Sequence, residues 1–447
     1  MALELKTKGS LAEAARTLAA SYELVQHGST LYLPMDFETG VSEPLPSSDR
    51  RIWAPMTRQD VQRFAAAKSN ILFANESEIV NFELQLKQLA RLHDNQPDST
   101  FIRTTEGLRI LDTDGKLVEP DGRFRPNCLT PVLNEDQEEK DRVFGVIQGW
   151  LNSEAEAHSL LHHLATALAP GWSAVKYVIL LGEGRNGKSV LLYMLSDLFG
   201  LHNVSAVSRQ EMAERSPVCA DLNGKLLNIV MDGSMTYVKD SGMEKTLIAG
   251  EAGAVRKLYE SSLTQVQTNA LFLEALNAEP KTRDKSSALQ KRLVRYRFPN
   301  VYPLSPQFSQ AMRTEKSLGA FLSLLIDHYV RADEAAVKLA PTEMAKDLQL
   351  DQMLLNSIAL QYIEYLVLDD PNIKDRFIGM DLANVVASFI PWAQSQEGQI
   401  YSNADAVRLF QTVFRTKRTR QRNKKPANYY KIESLSPEVE HLIEIWT

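Results

Sequence analysis

The chain has 447 residues, 44% hydrophobic and 24% charged, with a formal net charge of −6; this leaves room for several domains and excludes a global basic field, so any nucleic-acid surface must be local. Its two cysteines, Cys128 and Cys219, form no Cys-x-x-Cys pair, so a disulfide framework or zinc site is not expected and a reducing cytoplasm fits. No apolar run approaches the about 18 residues of a membrane span, and Met1–Gly9 lacks a signal-peptide core.

Leu11, Ala14, Ala15, Leu18 and Tyr22 recur at helical spacing, so residues 11–27 are expected to be helical. Ser29–Leu33 with the turn at Asp36–Gly40 suggests a hairpin, and Pro44, Pro46, Ser47 and Ser48 mark a loop. Thr57–Ala67 and Glu76–Leu92 read as helices. Phe101–Val118 reads as strand, turn and strand around Asp114-Gly115. The charged run Asn134–Arg142 opens a helical stretch with Phe144–Trp150, and Ala155–Ala167 is a second helix. From residue 172 to about 300, apolar strands alternate with helical segments: Val175–Leu181, Leu226–Asp232, Thr268–Leu276 and Leu293–Phe298. That rhythm belongs to a parallel α/β sheet. Pro306–Tyr365 is mainly helical. Asp381 caps a helix expected to stop at Ile390, before Pro391, and Asn403 caps another reaching about Phe414. Eight Lys and Arg follow within Arg415–Lys431.

One motif dominates. Gly182-Glu183-Gly184-Arg185-Asn186-Gly187-Lys188-Ser189 fits G-x-x-x-x-G-K-S, between an expected strand and the helical stretch Ser189–Leu198. Glycines let backbone N–H groups turn toward a phosphate, and a helix N-terminus adds positive potential. Lys188 would reach the β- and γ-phosphates and Ser189 would hold Mg²⁺, so ATP with Mg²⁺ is the expected ligand. Leu226–Asp232 is an apolar strand ending in an acid, the form of a magnesium-positioning carboxylate on a neighbouring strand. Ala270–Leu276 ends in Asn277-Ala278-Glu279-Pro280; an amide there can hold a γ-phosphate or water, although Asn-x-x-Pro alone is only a turn. Lys291-Arg292-Leu293 then opens the last strand, where an arginine could reach a neighbour's γ-phosphate.

In series, these segments and Lys245–Tyr259 resemble the superfamily III helicases of the AAA+ class, most of all the branch of phage and plasmid primase-helicases and the poxvirus primase-helicase. Residues 101–131 and the helices at 143–167 are similar to the region preceding the ATPase in that branch. The resemblance implies an AAA+ P-loop core over 141–305. Ahead of it stands an α+β collar or oligomerisation region over 1–140. Behind it, 306–447 form a mostly helical region with a winged-helix unit. It implies Lys188 and Ser189 as Walker A groups, Asp232 as the Walker B acid and Mg²⁺ partner, Asn277 as the sensor, and Arg292 as a finger acting on the adjacent subunit. It also implies a homo-hexameric ring on single-stranded or forked DNA, usually moving 3′ to 5′, in phage, virus or mobile-element replication. The family commonly has a second acid near the Walker B aspartate; here Gly233 and Ser234 follow Asp232, so either Asp232 polarises the water or another group does.

Arg256, Lys257 and Tyr259 combine cations with a stacking ring near an expected channel hairpin, as a single-strand grip requires, and an exposed helix is the alternative. Arg418, Arg420 and Arg422 lie in the basic run after two helices; a winged-helix hairpin and a solvated loop are the two readings. His158 and His162 share a helix at zinc-ligand spacing beside His163, without the acid a metalloprotease helix needs. No acidic triad or zinc motif for a primase is visible. Two rivals to the helicase are a non-translocating ATPase switch and a DNA-binding ring that recruits a polymerase or primase.

Overall fold

A computed structural model describes residues 8–27, 30–36, 51–69, 71–92, 100–121, 123–125, 127–168, 177–233, 242–256, 263–278, 289, 291–370, 373–397, 400–419 and 429–446. The chain divides into two compact units: residues 1–278 with 291–342, and residues 279–290 with 343–447.

The first unit opens with α1 (Lys8–Ser21), β1 (Val25–His27), β2 (Thr30–Asp36), β3 (Arg51–Met56), α2 (Arg58–Ser69), α3 (Glu76–Leu89) and β4 (Arg91–Leu92). The strands form a sheet in the order β3-β2-β1-β4, closed by the three helices around Leu18, Leu31, Phe64, Phe82 and Leu86. The strand expected at Ser29–Leu33 is present as β2, which pairs antiparallel with β3 from Leu31↔Met56 to Asp36↔Arg51; Asp36 is thus a strand residue and not the start of a turn, and residues 37–40 of the expected turn fall outside the described residues. A second small sheet, β5 (Phe101–Thr104), β6 (Gly107–Leu111), β7 (Leu117–Val118) and β8 (Cys128–Val132), contains the anticipated Asp114-Gly115 turn, with Gly115 at φ +79°.

Two helices lead into the central sheet. α4 (Gln137–Leu151) is capped by Asp136 and α5 (Glu154–Ala165) by Ser153, each accepting a first-turn backbone N–H. The sheet contains β9 (Tyr177–Leu181), β10 (Val204–Ser205), β11 (Leu227–Val230), β14 (Leu271–Leu276) and β15 (Leu293–Arg297). Its order is β10-β11-β14-β9-β15, with every neighbouring pair parallel. Between β9 and β10 runs α6 (Lys188–Phe199), while α7 (Arg209–Ala213) and α8 (Gly242–Ile248) flank β11 in sequence. A hairpin, β12 (Gly253–Arg256) with β13 (Leu263–Val266), precedes β14. The largest core joins α4, α5, α6 and one sheet face to the helix Glu315–Asp327, through Val143, Ile147, Leu160, Leu195, Leu273 and Phe321.

The second unit has its own core, including Ile363, Phe389, Phe410, Ile432 and Leu442. Helices Ile358–Asp369, Ile373–Phe377, Leu382–Glu397 and Asn403–Phe410 precede the antiparallel hairpin β16 (Phe414–Thr419) and β17 (Tyr429–Leu435); the helix Pro437–Trp446 closes it. Asp381 makes an isolated antiparallel bridge to Lys431, which adds a short third edge to the hairpin. Two expectations are corrected: the helix expected over 11–27 ends at Ser21, with Val25–His27 a strand, and Pro391 does not end its helix, which continues to Glu397. Proline forfeits one backbone hydrogen bond, but buried Phe389 and Ala393 on either side of it join the core, and that packing carries the helix through.

Candidate nucleotide site

The Gly-rich segment emerges from the C-terminal end of β9. Gly182, Gly184 and Gly187 have φ of 157°, 98° and 97°, and Arg185 has 53°. A Cβ at Gly182 would sit 2.2 Å from the Asn186 amide nitrogen, and one at Gly187 would sit 2.5 Å from the Trp150 ring. Only glycine fits either place. Gly187 is the N-cap of α6 and offers no side-chain cap, so the first-turn N–H groups are left to a ligand. The loop is also tied from outside, because the Tyr302 N–H donates to the Arg185 carbonyl at 2.7 Å.

Lys188 is 5% exposed. Its ammonium donates to the Gly182 carbonyl, and to Asn186 Oδ1 at 3.1 Å, while Asn186 Nδ2 donates to the Phe298 carbonyl at 3.3 Å. Burial pushes the lysine pKa down and the charge of Asp232 pulls it up. The lysine is thus held inside the loop by neutral oxygens, which an anionic ligand would outcompete.

A cleft of about 1110 Å³ opens here, with Arg185, Asn186, Lys188, Ser189, Asp232 and Asn277 among its lining. Glu183 stands exposed in the same loop. Four candidates separated by up to about 90 residues in sequence meet because the strands run parallel and end at one edge. Leu276, just before Asn277, pairs with Leu181, just before Gly182. The expected adjacency of the Asp232 strand is corrected: β14 lies between β11 and β9, so Asp232 arrives from the second strand over.

Arg292 is elsewhere. Its carbonyl accepts the Tyr177 N–H at 2.7 Å, at the start of β9. Five strand residues, at about 3.3 Å each, separate that end from the loop, and Arg292 does not line the cleft. Arg297, which the sequence reading passed over, is exposed at the loop end of β15, paired with Leu181.

Glu274 was also missed. It is 2% exposed in β14, and Tyr177 donates its hydroxyl to Oε2 at 3.2 Å. A Cβ on Gly233 would lie 2.2 Å from Glu274 Oε1, so the carboxylate fills the space a side chain after Asp232 would need. The signal was a lone acid in the run Leu271-Phe-Leu-Glu-Ala-Leu276.

For the DNA candidates, Arg256 ends β12, while Lys257 and Tyr259 fall outside the described residues. Arg418 lies in β16 opposite Tyr430; Arg420 and Arg422 lie outside the described residues. His158 Nδ1 lies 2.7 Å from His328 Nε2, His328 Nδ1 lies 2.7 Å from the Leu324 carbonyl, and His162 Nδ1 lies 2.9 Å from the His328 carbonyl. These histidines tie α5 to the helix ending at Asp327. His163 Nδ1 is 2.9 Å from the Ser159 carbonyl. Among the described residues, no group of three or more His, Cys, Asp or Glu could hold a metal, and no helix is long and apolar enough to cross a membrane.

No family model and no curated protein matches the chain. Among solved structures, the A form apo structure of the NrS-1 C-terminal region (305–718) aligns at a TM-score of 0.50 and 12% identity, covering 95% of this chain and 98% of that chain. Another apo structure of that region (305–718) gives 0.49 at 12% identity, covering 96% and 99%, and a further A form apo structure gives 0.49 at 13%, covering 95% and 98%. At such identity the likeness is one of fold.

Proposed function

We propose that this chain is an ATP-driven DNA helicase of the superfamily III, AAA+ kind, working as a homo-hexameric ring on single-stranded or forked DNA during phage, virus or mobile-element replication. The observation that carries the reading is the meeting of Lys188, Ser189, Asp232 and Asn277 in one cleft around a glycine cradle. The cradle fits a triphosphate, since its glycines leave the backbone open to close approach. Lys188 would pair with the β- and γ-phosphates, and Ser189 and Asp232 would hold Mg²⁺. The bound metal would neutralise charge on the phosphate oxygens. Asn277 would orient the attacking water through its amide.

Arg292 stands at the far end of the sheet, so this reading assigns it to the cleft of an adjacent copy. The β12–β13 hairpin and the β16–β17 hairpin, with exposed Arg415 and Lys417, are the two assigned DNA surfaces. The helices leading into β16–β17, with the Asp381–Lys431 bridge, support the winged-helix assignment.

The test is strand displacement on a forked duplex with Mg-ATP, in both polarities. Wild type should unwind 3′ to 5′. Lys188→Ala should lose nucleotide binding, and Arg292→Ala should bind ATP but lose turnover by about a thousandfold or more. Hydrolysis without unwinding in either polarity would overturn the helicase assignment and favour the rival ATPase switch. Normal turnover by Arg292→Ala would remove the finger.

A further inference from the structure

The cleft is larger than a phosphate site needs, and its two halves differ. Beyond Gly184–Ser189 it is walled by Trp150, Tyr193, Tyr302, Leu304 and Phe308. Large apolar side chains are mostly buried in this protein, yet Tyr193 is 43% exposed, Tyr302 37%, Leu304 80% and Phe308 39%. Exposed apolar surface collected around a concavity marks a place for a ligand.

Several polar atoms of this wall are engaged. The Gly149 carbonyl accepts both the Tyr302 hydroxyl at 2.7 Å and the Asn300 amide at 2.9 Å, which occupies both its lone pairs. Ser305 Oγ accepts the Phe308 N–H at 3.2 Å as a helix cap. Arg313 lies 5.1 Å from the Tyr193 ring centroid and is paired with Asp197, which fixes that ring from behind. The wall therefore presents mainly ring faces and aliphatic carbons, and its further side-chain hydroxyls, on Tyr193 and Ser309, can each donate or accept and so favour neither purine edge. Tyr302 is moreover fastened to the phosphate loop by its own N–H, so its ring stands beside whatever extends from the bound phosphates.

We infer that this apolar half seats the nucleobase of the bound nucleotide and grips the base by its faces, so that the site accepts purine nucleoside triphosphates with little discrimination between adenine and guanine. The occupant is set by the cleft: it must be covalently continuous with phosphate at the glycine loop and must offer a flat apolar surface. The inference rests on the nucleotide reading given above. Discrimination between purines needs buried, directional hydrogen-bonding groups at the base edge, and the wall supplies almost none. Stacking, by contrast, is available to every base.

The experiment is competition against a fluorescent ATP analogue on the full chain with Mg²⁺, using ATP, GTP, CTP and inorganic tripolyphosphate. ATP and GTP should bind within about fivefold of each other, CTP about tenfold more weakly, and tripolyphosphate about a hundredfold more weakly. Tyr302→Ala should weaken ATP and GTP alike by about tenfold and leave tripolyphosphate unchanged, while Tyr302→Phe should keep most of the affinity. Phe308→Ala, on a more exposed side chain, should repeat the pattern if Tyr302→Ala fails to fold. A preference of about a hundredfold for one purine, or tripolyphosphate binding as tightly as ATP, overturns the inference. If wild type binds no triphosphate, or if Lys188→Ala binds as well as wild type, the nucleotide reading itself falls and this inference falls with it.

Discussion

The two faces of the central sheet differ in what they bury. On the α6 side, Val178, Leu180, Leu227, Ile229, Leu273, Ala275 and Val294 enter one continuous apolar core. On the other side the same strands turn Tyr177, Asn228, Glu274 and Arg295 inward, each no more than 2% exposed. Asn228 accepts the Val207 N–H at 2.7 Å and donates back to the Val207 carbonyl at 2.8 Å. Arg209 lies 5.9 Å from the Tyr177 ring centroid and donates to Glu244 at 2.8 Å. Parallel strands covered on both faces are normally near-continuous apolar runs. Here one face is apolar throughout, while the other sets matched polar partners among buried Ile179, Phe272, Leu276 and Leu293. The first tolerates any side chain of the right size; the second tolerates only the partner it has.

That contrast can be broken most sharply at Arg209. Arg209→Ala leaves Glu244 buried opposite a missing charge and should cost about 4 kcal/mol in urea denaturation, whereas Arg209→Met with Glu244→Leu should recover most of it. On the apolar face, Leu195→Ala should cost about 3 kcal/mol, and no second truncation should restore it. If the double variant is no better than Arg209→Ala, the polar face is not governed by pairing. A smaller effect tests the seam between the faces. Gly233→Ala drives a methyl group against the Glu274 carboxylate and Leu276 Cδ2 and should lose about 2 kcal/mol, with Glu274→Ala in the same chain relieving the larger part of the clash. Additive losses in that pair would show that the two positions do not meet.

The smallest effect concerns the histidines joining α5 to the helix Glu315–Asp327. Burial lowers the pKa of His162 and of His328, and His158 and Lys338 add to it against Glu334 and Asp327. Folding thus favours the neutral rings. Their contribution is present above the unfolded value of about 6.5 and is lost as pH falls through the lower folded values. The melting temperature should drop by about 3 °C between about pH 7.5 and about pH 5.5 through these groups, and His328→Gln should shrink that difference. An unchanged pH profile in the variant would release the histidines from this role.

The parallel sheet, its strands and the glycine loop were legible because buried strands appear as short apolar runs and a positive-φ loop needs glycine at fixed offsets. The order of strands was not. Nothing in Leu226–Asp232 or Ala270–Leu276 says which lies beside β9, since that depends on crossover packing. Trp150 and Tyr302 were invisible as site residues for a similar reason: each reaches the loop from another element, and an apolar ring on a helix or in a loop looks the same in sequence whether it fills a core or walls a cleft. The helix through Pro391 went unseen because local proline chemistry was outweighed by the packing of Phe389 and Ala393.

Trp150 has one more use. Its indole lies so close to Gly187 that no side chain fits between them, and only five tryptophans occur in the chain. The protein therefore carries an optical reporter against the loop itself. A ligand that rearranges the loop changes the surroundings of that indole, so intrinsic fluorescence can follow filling of the cleft in unlabelled protein, with Trp150→Phe as the blank.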